Sequence, residues 1–249
     1  MIAIGGFYFL GENKIRLVNL QLEREKILKL SYKVLRLVLG LFVFAAGSVC
    51  IINAAIGVAP WDVFHQGVSN VTGITIGRAN IYSGVVIIII DILLGQAVGW
   101  GTLANMILIG SFIDFLMLNN LIPSFQSFLP SLIQLFIGII LHGLGVFLYI
   151  AVGWGAGPRD GLLVVLTKRT GGSVRLIKTI MEVTVVAIGY LLGGNLGIGT
   201  IILALLSGPI WQYIFKIFKF NINEVQHRFI QEDIKILKEK LAKTEEPTP

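Results

Sequence analysis

Long apolar runs with few charges alternate with short polar stretches over most of the chain, and this pattern predicts membrane-spanning helices. A helix needs about 20 mostly apolar residues to cross the hydrocarbon core of a bilayer. Six runs meet this need, so the sequence predicts an all-α fold, a polytopic transmembrane helical bundle. The spans are predicted at about 34–55, 79–97, 101–119, 131–152, 175–193 and 198–218.

Two shorter helical segments, at about 61–70 and 159–168, follow loops that contain glycine and proline. At about ten residues each, they are too short to cross a bilayer. Each is therefore predicted to be a re-entrant or interfacial helix. With these helices included, the spans form two units, repeat 1 at 34–119 and repeat 2 at 131–218.

The two ends of the chain are more polar than the spans. Residues 1–33 are basic, and two interpretations stay open, an amphipathic segment on the inner headgroups or a disordered leader. The tail, 219–249, carries Ile230, Ile234 and Leu237 at helical spacing, which predicts a cytoplasmic amphipathic helix. Its last residues, 244–249, are expected to be disordered.

Composition supports a lipid environment and argues against nucleic-acid-binding and disulfide-stabilised proteins. The chain is 55% hydrophobic and 14% charged, whereas soluble domains average about 25% charged residues. The net charge of +6 is therefore attributed to Lys and Arg side chains that face anionic headgroups on the cytoplasmic side, and not to nucleic-acid binding. One cysteine, Cys50, excludes a disulfide framework within the chain. We expect no metal, no cofactor and no catalytic residues, since no nucleophile-and-base pair or nucleotide motif is visible.

Lysine and arginine are distributed as expected for a protein with both termini in the cytoplasm. Cytoplasmic loops carry an excess of these residues. The loop at 153–175 holds Arg159, Lys168, Arg169 and Arg175, whereas the loop at 120–130 holds no basic residue. The sequence therefore predicts a multi-pass protein of the cytoplasmic membrane, with the first of these loops inside.

The chain repeats itself at an offset of 98 residues. Each predicted repeat has three spans, and two copies with an odd number of spans must enter the membrane from opposite sides. This is the inverted-repeat plan of many secondary transporters. The matching pairs include Gly40 and Gly138, Gly47 and Gly145, Gly57 and Gly155, Pro60 and Pro158, Asp62 and Asp160, Gly99 and Gly197, and Gly110 and Gly208.

The matching Pro60–Asp62 and Pro158–Asp160 segments have two interpretations. Proline suits the first helical position and aspartate the first turn, so a capped helix start explains both segments without a ligand. Alternatively, the two helix starts line a solute pathway between the repeats. His65 follows Asp62 by three residues and shares its helix face.

Ionisable residues inside the predicted spans are the other candidates, because such residues usually face the bundle interior and pair. Lys178 and Glu182 are spaced for a structural ion pair on one helix. Structural and functional roles both stay open for Asp91 and Asp114. His142, near mid-membrane, fits a hydrogen-bonded packing residue better than a proton relay.

Four segments of the chain resemble the YczE-like group of bacterial integral membrane proteins, which is related to the YitT-like proteins. The resemblance covers about residues 34–218 and implies a multi-pass cell-membrane protein without established catalytic residues. The segments are Gly57-x-x-Pro60-Trp61-Asp62-Val63-x-His65, Gly101-Thr102-Leu103-Ala104-Asn105 with Ile109-Gly110 and Ile113-Asp114, Gly155-x-Gly157-Pro158-Arg159-Asp160-Gly161, and Gly197-x-Gly199-Thr200 with Ser207-Gly208-Pro209.

These observations lead to the hypothesis that the protein moves an unknown small solute at the interface of the two repeats. The alternative is a non-transporting scaffold or accessory protein, and a membrane enzyme ranks third. A central polar cavity lined by Asp62, Asp160 or Asp114 would favour transport, and a solid bundle with an apolar outer face would favour the scaffold. A homo-oligomer stays open. The candidate pathway residues are Pro60, Asp62, His65, Asp91, Asp114, His142, Pro158 and Asp160.

Overall fold

The computed structural model describes the backbone of residues 3–245 and the side chains of residues 20–222 and 224–239. Within that part of the chain every regular element is helical, which confirms the predicted class. The elements are α1 (Ala3–Asn53), α2 (Pro60–Thr72), α3 (Ile76–Leu93), α4 (Trp100–Leu118), α5 (Phe128–Ile150), α6 (Pro158–Thr170), α7 (Val174–Leu191), α8 (Ile198–Ile217), a 3₁₀ turn (Ile222–Glu224) and α9 (Ile230–Glu245).

Five helices of the described chain are long and apolar enough to cross a membrane. They are the Leu20–Asn53 part of α1, together with α3, α4, α5 and α8. Helix α7 occupies the predicted fifth span, but its 18 residues include Arg175, Lys178 and Glu182. These charges lower its mean hydropathy, so a membrane-spanning role for α7, and with it the total of six spans, stays a prediction.

The first span is part of a longer helix than the sequence predicted. Helix α1 continues from residue 3 through the basic leader and ends at Asn53. The described side chains from Leu20 to Leu35 are all exposed, as expected for a segment that lies outside the bundle. Its contact with inner headgroups stays a prediction.

The two short helices have the same local structure. Each has 13 residues and begins with its proline after an extended residue, Ala59 or Gly157. Each ends at a left-handed glycine, Gly73 or Gly171, which L side chains occupy only with strain. At 1.5 Å per residue, either helix is about 20 Å long and shorter than the ~30 Å hydrocarbon core.

Contacts between the two halves are reciprocal under the 98-residue shift. Helix α2 packs against α7, and its counterpart α6 packs against α3. The Gly101 N–H donates to the Trp154 carbonyl oxygen at 2.6 Å, and the Gly199 N–H donates to the Ile56 carbonyl oxygen at 2.7 Å. Glycines likewise bring α1 and α5 together at two matching crossings, Gly40 with Gly145 and Gly47 with Gly138.

The halves differ in how their last two helices pack. Helices α3 and α4 lie against each other, with the backbones of Gly77 and Gly110 in contact. The matching helices α7 and α8, both described in full, make almost no contact. The residue of α7 that corresponds to Gly77 is Arg175, and its size prevents an equally close approach.

The tail folds back over one end of the bundle. The Arg228 N–H donates to the Gly153 carbonyl oxygen at 2.8 Å, and the Ile230 N–H donates to that of Val98 at 3.0 Å. Helix α9 then follows, which confirms the predicted tail helix. The predicted disorder of 244–249 falls largely on residues 246–249, which lie outside the described chain.

Candidate solute-binding cavity

A cavity of about 540 Å³ lies where the two halves meet. The first turns of α2 and α6 face it, α1 and α5 contribute aromatic and polar side chains, and α3, α4, α7 and α8 enclose its sides. The sequence-predicted residues Pro60, Asp62, His142, Pro158 and Asp160 all line it. Pocket volumes of this size are typical of small-molecule sites.

The second residues of the two short helices meet inside the cavity. The guanidinium carbon of Arg159 lies 4.7 Å from the ring centroid of Trp61. These two residues correspond under the 98-residue shift, so each half contributes one partner to the same stacking contact. A cation over a tryptophan face is attracted by the negative charge density of the ring.

Arg159 also reaches the imidazole of the opposite short helix. Its Nη2 atom donates to Nε2 of His65 at 3.2 Å, since arginine only donates. The proton of His65 is therefore on Nδ1, which donates to Oδ1 of Asp62 at 3.3 Å. Burial lowers the pKa of His65 to about 4, in agreement with the neutral imidazole that this chain of contacts requires.

His65 lies behind the cavity wall and not in the wall itself. Its side chain is fully buried, and Ser83 Oγ lies 3.1 Å from its Nε2. The contacts from Asp62 to Arg159 run through this residue. His65 therefore positions the two charged side chains that line the cavity.

The two matching aspartates have different surroundings. Asp62 is 4% exposed and hydrogen-bonded to His65, whereas Asp160 is exposed to the cavity. The residue that corresponds to His65 is Leu163, which offers no hydrogen bond. Asp160 is therefore the carboxylate that a solute in the cavity can reach.

Lys178 and Glu182 form the ion pair predicted from their spacing, with Nζ and Oε1 3.7 Å apart. Both side chains line the cavity. The pair therefore adds charge to the cavity wall in addition to linking successive turns of α7. Both partners are solvent-accessible, and such pairs stabilise a fold little.

His142 has the hydrogen-bonded packing environment that the sequence predicted. Its Nε2 lies 2.9 Å from Ser48 Oγ, and its ring stacks on Phe44 with centroids 4.2 Å apart. Phe44 and His142 also correspond under the 98-residue shift. The ring of Trp211 meets His142 edge-on, so His142 is a closely packed part of the cavity wall.

Asp114 does not line the cavity. Its Oδ2 accepts from the Thr75 hydroxyl at 2.5 Å, and its Oδ1 accepts from the Gly77 N–H at 2.8 Å. A carboxylate bound to the first N–H groups of a helix is favoured by the helix dipole. Of the two roles left open by the sequence, the contacts of Asp114 favour the structural one.

Asp91 is also outside the cavity. It is 1% exposed, and its Oδ2 lies against Gly161 of α6. No hydrogen-bond partner within the described chain reaches its Oδ1. It lies at the contact between α3 and α6, and a part in the pathway stays a prediction for this residue.

The sequence argument overlooked Arg159 as a site residue and counted it among the headgroup-facing charges. Arg159 lies in the cavity and contacts Trp61 and His65, a role that its place in a basic loop did not indicate. Lys168, Arg169 and Arg175 still give this loop its basic excess. The 98-residue alignment contained the missing signal, because it pairs Arg159 with Trp61 at matching helix starts.

The cavity chemistry is that of a binding site for a small molecule. Three acidic and two basic side chains line it, with aromatic rings between them. Among the side chains of residues 20–222 and 224–239, no group of three His, Cys, Asp or Glu residues is arranged to hold a metal ion. The charged residues of the wall are Asp62, Asp160, Glu182, Arg159 and Lys178.

Comparison with known proteins gives relatives without an established role. The profile of a family of unknown function, DUF6198, matches residues 31–216. An uncharacterized membrane protein of Bacillus subtilis, YczE, is 38% identical over 70% of this chain and 81% of its own length. An uncharacterized protein of Haemophilus influenzae is 31% identical over 75% of this chain and 85% of its own. A third protein, the uncharacterized YyaS of Bacillus subtilis, is 24% identical over 68% of this chain and 86% of its own length. No solved structure matches the chain.

Proposed function

The chain belongs to the YczE-like family of membrane proteins, DUF6198, and we propose that it transports a small solute through the cavity between two inverted repeats. The observation that carries the proposal is the cavity itself. It lies at the junction of the halves and is lined by both helix starts that the repeat predicts. In transporters built from inverted repeats, the substrate site lies at this interface.

The reciprocal contacts support a two-fold relation between the halves. When residue i of one half meets residue j of the other, the shifted pair also meets, as at Gly101–Trp154 and Gly199–Ile56. A two-fold axis generates such paired contacts. With three spans in each half, this axis lies in the membrane plane, and the halves have opposite orientations.

This arrangement requires α7 to be a membrane span, the fifth of six in chain order, despite its charges. Lys178 and Glu182 pair with each other and face the cavity, so they are shielded from lipid. Charged residues in membrane helices are tolerated in that position. The apolar side chains of α7, such as Ile180 and Val183, are exposed as expected for a lipid-facing surface.

Orientation and location follow from the basic residues. The positive-inside rule places the loop with Lys168 and Arg169 in the cytoplasm, together with both termini. The protein is accordingly proposed to reside in the cytoplasmic membrane, to act without a cofactor and to catalyse no reaction. A scaffold is the weaker alternative, because a solid bundle would serve that role without an internal charged cavity.

Access to the cavity from each side of the membrane tests the proposal without knowledge of the solute. Ser207 lines the cavity, and a Ser207→Cys substitution in a Cys50→Ser background provides one reactive thiol. Transport by alternating access requires that a membrane-impermeant thiol reagent modify this cysteine from either face of sealed vesicles. A cysteine at Ile180, on the lipid-facing surface, is the matched control. Labelling from one face only, or from neither, contradicts transport.

A further inference from the structure

Helices α7 and α8 leave a gap beside the cavity, since residues of both line it and almost no contact joins them. At the matching position in the first half, Gly84 of α3 approaches Met106 of α4, and the two helices close against each other. In the second half Glu182 replaces Gly84, and α7 stays apart from α8. Glu182 of α7 and Gly208 of α8 both line the cavity, so the gap lies at the cavity wall.

Gly208 marks the opening on α8. A Cβ at this glycine would meet no heavy atom of the described residues within 4 Å, whereas one at the matching Gly110 would meet Gly77 and Ile81. The neighbouring side chains of Leu205 and Leu206 are exposed and apolar. An opening between two membrane helices that is flanked by such residues faces the hydrocarbon of the bilayer.

The charges of the cavity favour a cationic head group. The three carboxylates outnumber the two basic residues, and both basic side chains have partners. Arg159 is held by Trp61 and His65, and Lys178 is paired with Glu182. The carboxylate of Asp160 is exposed in the cavity, beside Arg159, Lys178 and the Gly157 N–H. Its two oxygens have acceptor sites left for an ammonium group.

Aromatic side chains complete this environment. Rings of this kind attract quaternary ammonium groups through their faces. The aromatic residues that line the cavity are Phe44, Trp61, Tyr149, Trp211 and Phe215.

We infer that the solute is an amphiphilic organic cation, whose ammonium group binds beside Asp160 and whose apolar part lies in the gap between α7 and α8. This inference names the solute class of the proposed transporter and so rests on the proposed function. A volume of about 540 Å³ accommodates such a head group with part of a chain but excludes a helix of a partner protein. The bilayer supplies the apolar path through which the chain enters.

Three probes separate the contributions of charge and chain. Decyltrimethylammonium, tetramethylammonium and decanoate are titrated into the full chain in phosphatidylcholine nanodiscs, and uptake by empty nanodiscs is subtracted. We expect decyltrimethylammonium to bind at least tenfold more tightly than either other probe. Equal binding of decanoate would overturn the cationic class, and equal binding of tetramethylammonium would overturn the role of the gap. Failure of decyltrimethylammonium to bind would overturn both.

Two substitutions locate the binding mode. Asp160→Asn is expected to weaken decyltrimethylammonium binding about tenfold. Gly208→Phe fills the gap and is expected to remove the advantage of the decyl chain over tetramethylammonium. Leu205→Phe, on the exposed face of α8, is the control and should change neither value. Unchanged binding in Asp160→Asn or Gly208→Phe would overturn the corresponding part of the inference.

The proposed ligand class and the proposed transport can be refuted independently of each other. If decyltrimethylammonium binds as expected but a cysteine at Ser207 is labelled from one face only, the ligand class is supported and transport is refuted. If the cysteine is labelled from both faces but the cation does not bind, transport is supported and the ligand class is refuted. The two measurements therefore identify which proposal is wrong.

Discussion

Helices α2 and α6 have the same backbone and different chemistry. Each runs for 13 residues from a proline to a left-handed glycine, yet Trp61 corresponds to Arg159 and His65 to Leu163. The repeat therefore fixes the shape of the two helix starts and leaves their side chains free to differ. The amphiphilic cation that we propose has two unlike ends, and differing side chains on a common backbone suit such a ligand.

The largest effect is expected where the two halves are most alike. A methyl group at Gly99 would overlap the Trp154 carbonyl oxygen, and one at Gly197 would overlap that of Ile56. Overpacking against backbone costs about 1–3 kcal/mol. Gly99→Ala and Gly197→Ala should each reduce the melting temperature of the detergent-solubilised protein strongly and by similar amounts.

Gly208→Ala is the control for both substitutions, because its added methyl group has open space. It should leave the melting temperature nearly unchanged. A large loss in only one of the two crossing variants would show that the contacts are not equivalent, and the comparison of halves would then be wrong at its strongest point.

The two aspartates should separate stability from binding. Asp62→Asn replaces the carboxylate that accepts from buried His65, and hydrogen bonds to charged groups are worth about 1.5–3 kcal/mol. We expect it to lower the free energy of unfolding by about 2 kcal/mol. Asp160→Asn, in the open position, should change this value little. Thermal unfolding of both variants without a ligand measures the difference, and equal losses would contradict the asymmetry of the site.

Much of the architecture could be predicted, because membrane helices require long apolar runs and because glycines recur at matching positions of the repeat. Gly57 illustrates the second point, since its positive φ and its contact with Gly197 allow only a hydrogen side chain. Sequence positions 98 apart therefore predicted which segments share a structure. They did not predict the start of α3 at Ile76, where Thr75 caps the helix by accepting from the Arg78 N–H.

The site was less predictable, because pairing across a two-fold relation is a three-dimensional property. Composition and spacing identified Asp62, Asp160 and His142, which line the cavity, but could not show that Arg159 lies on Trp61. They also could not show that the Asp114 carboxylate accepts a hydrogen bond from the Gly77 N–H at the start of α3. An ionisable residue in a span is a candidate from sequence alone, and only its neighbours decide between a cap and a ligand.

Disulfide formation should distinguish the closed helix pair from the open one. A Cβ at Gly84 would lie 3.5 Å from the Met106 Cβ, within the range that a disulfide requires. In a Cys50→Ser background, Gly84→Cys with Met106→Cys should cross-link on mild oxidation. The matching pair, Glu182→Cys with Ala204→Cys, should not, because α7 and α8 stay apart. Electrophoretic mobility after oxidation reports the bond, and efficient cross-linking of both pairs would eliminate the side opening.

The smallest effect concerns the tail, which covers the end of the bundle where α6 begins. The Gly155 N–H donates to Nδ1 of His227 at 3.2 Å, and this contact requires an unprotonated Nδ1. Burial lowers the pKa of His227, and Asp160 opposes that shift. Protonation is thus disfavoured while the tail is docked, so the contact is strongest above the ordinary histidine pKa of about 6.5 and weakens as the pH falls below it.

Hydrogen exchange at the Gly155 amide, corrected for its intrinsic pH dependence, should accelerate at low pH in the natural chain. In His227→Phe the exchange should be fast at every pH, and a pH response that persists in this variant would assign the effect to another group.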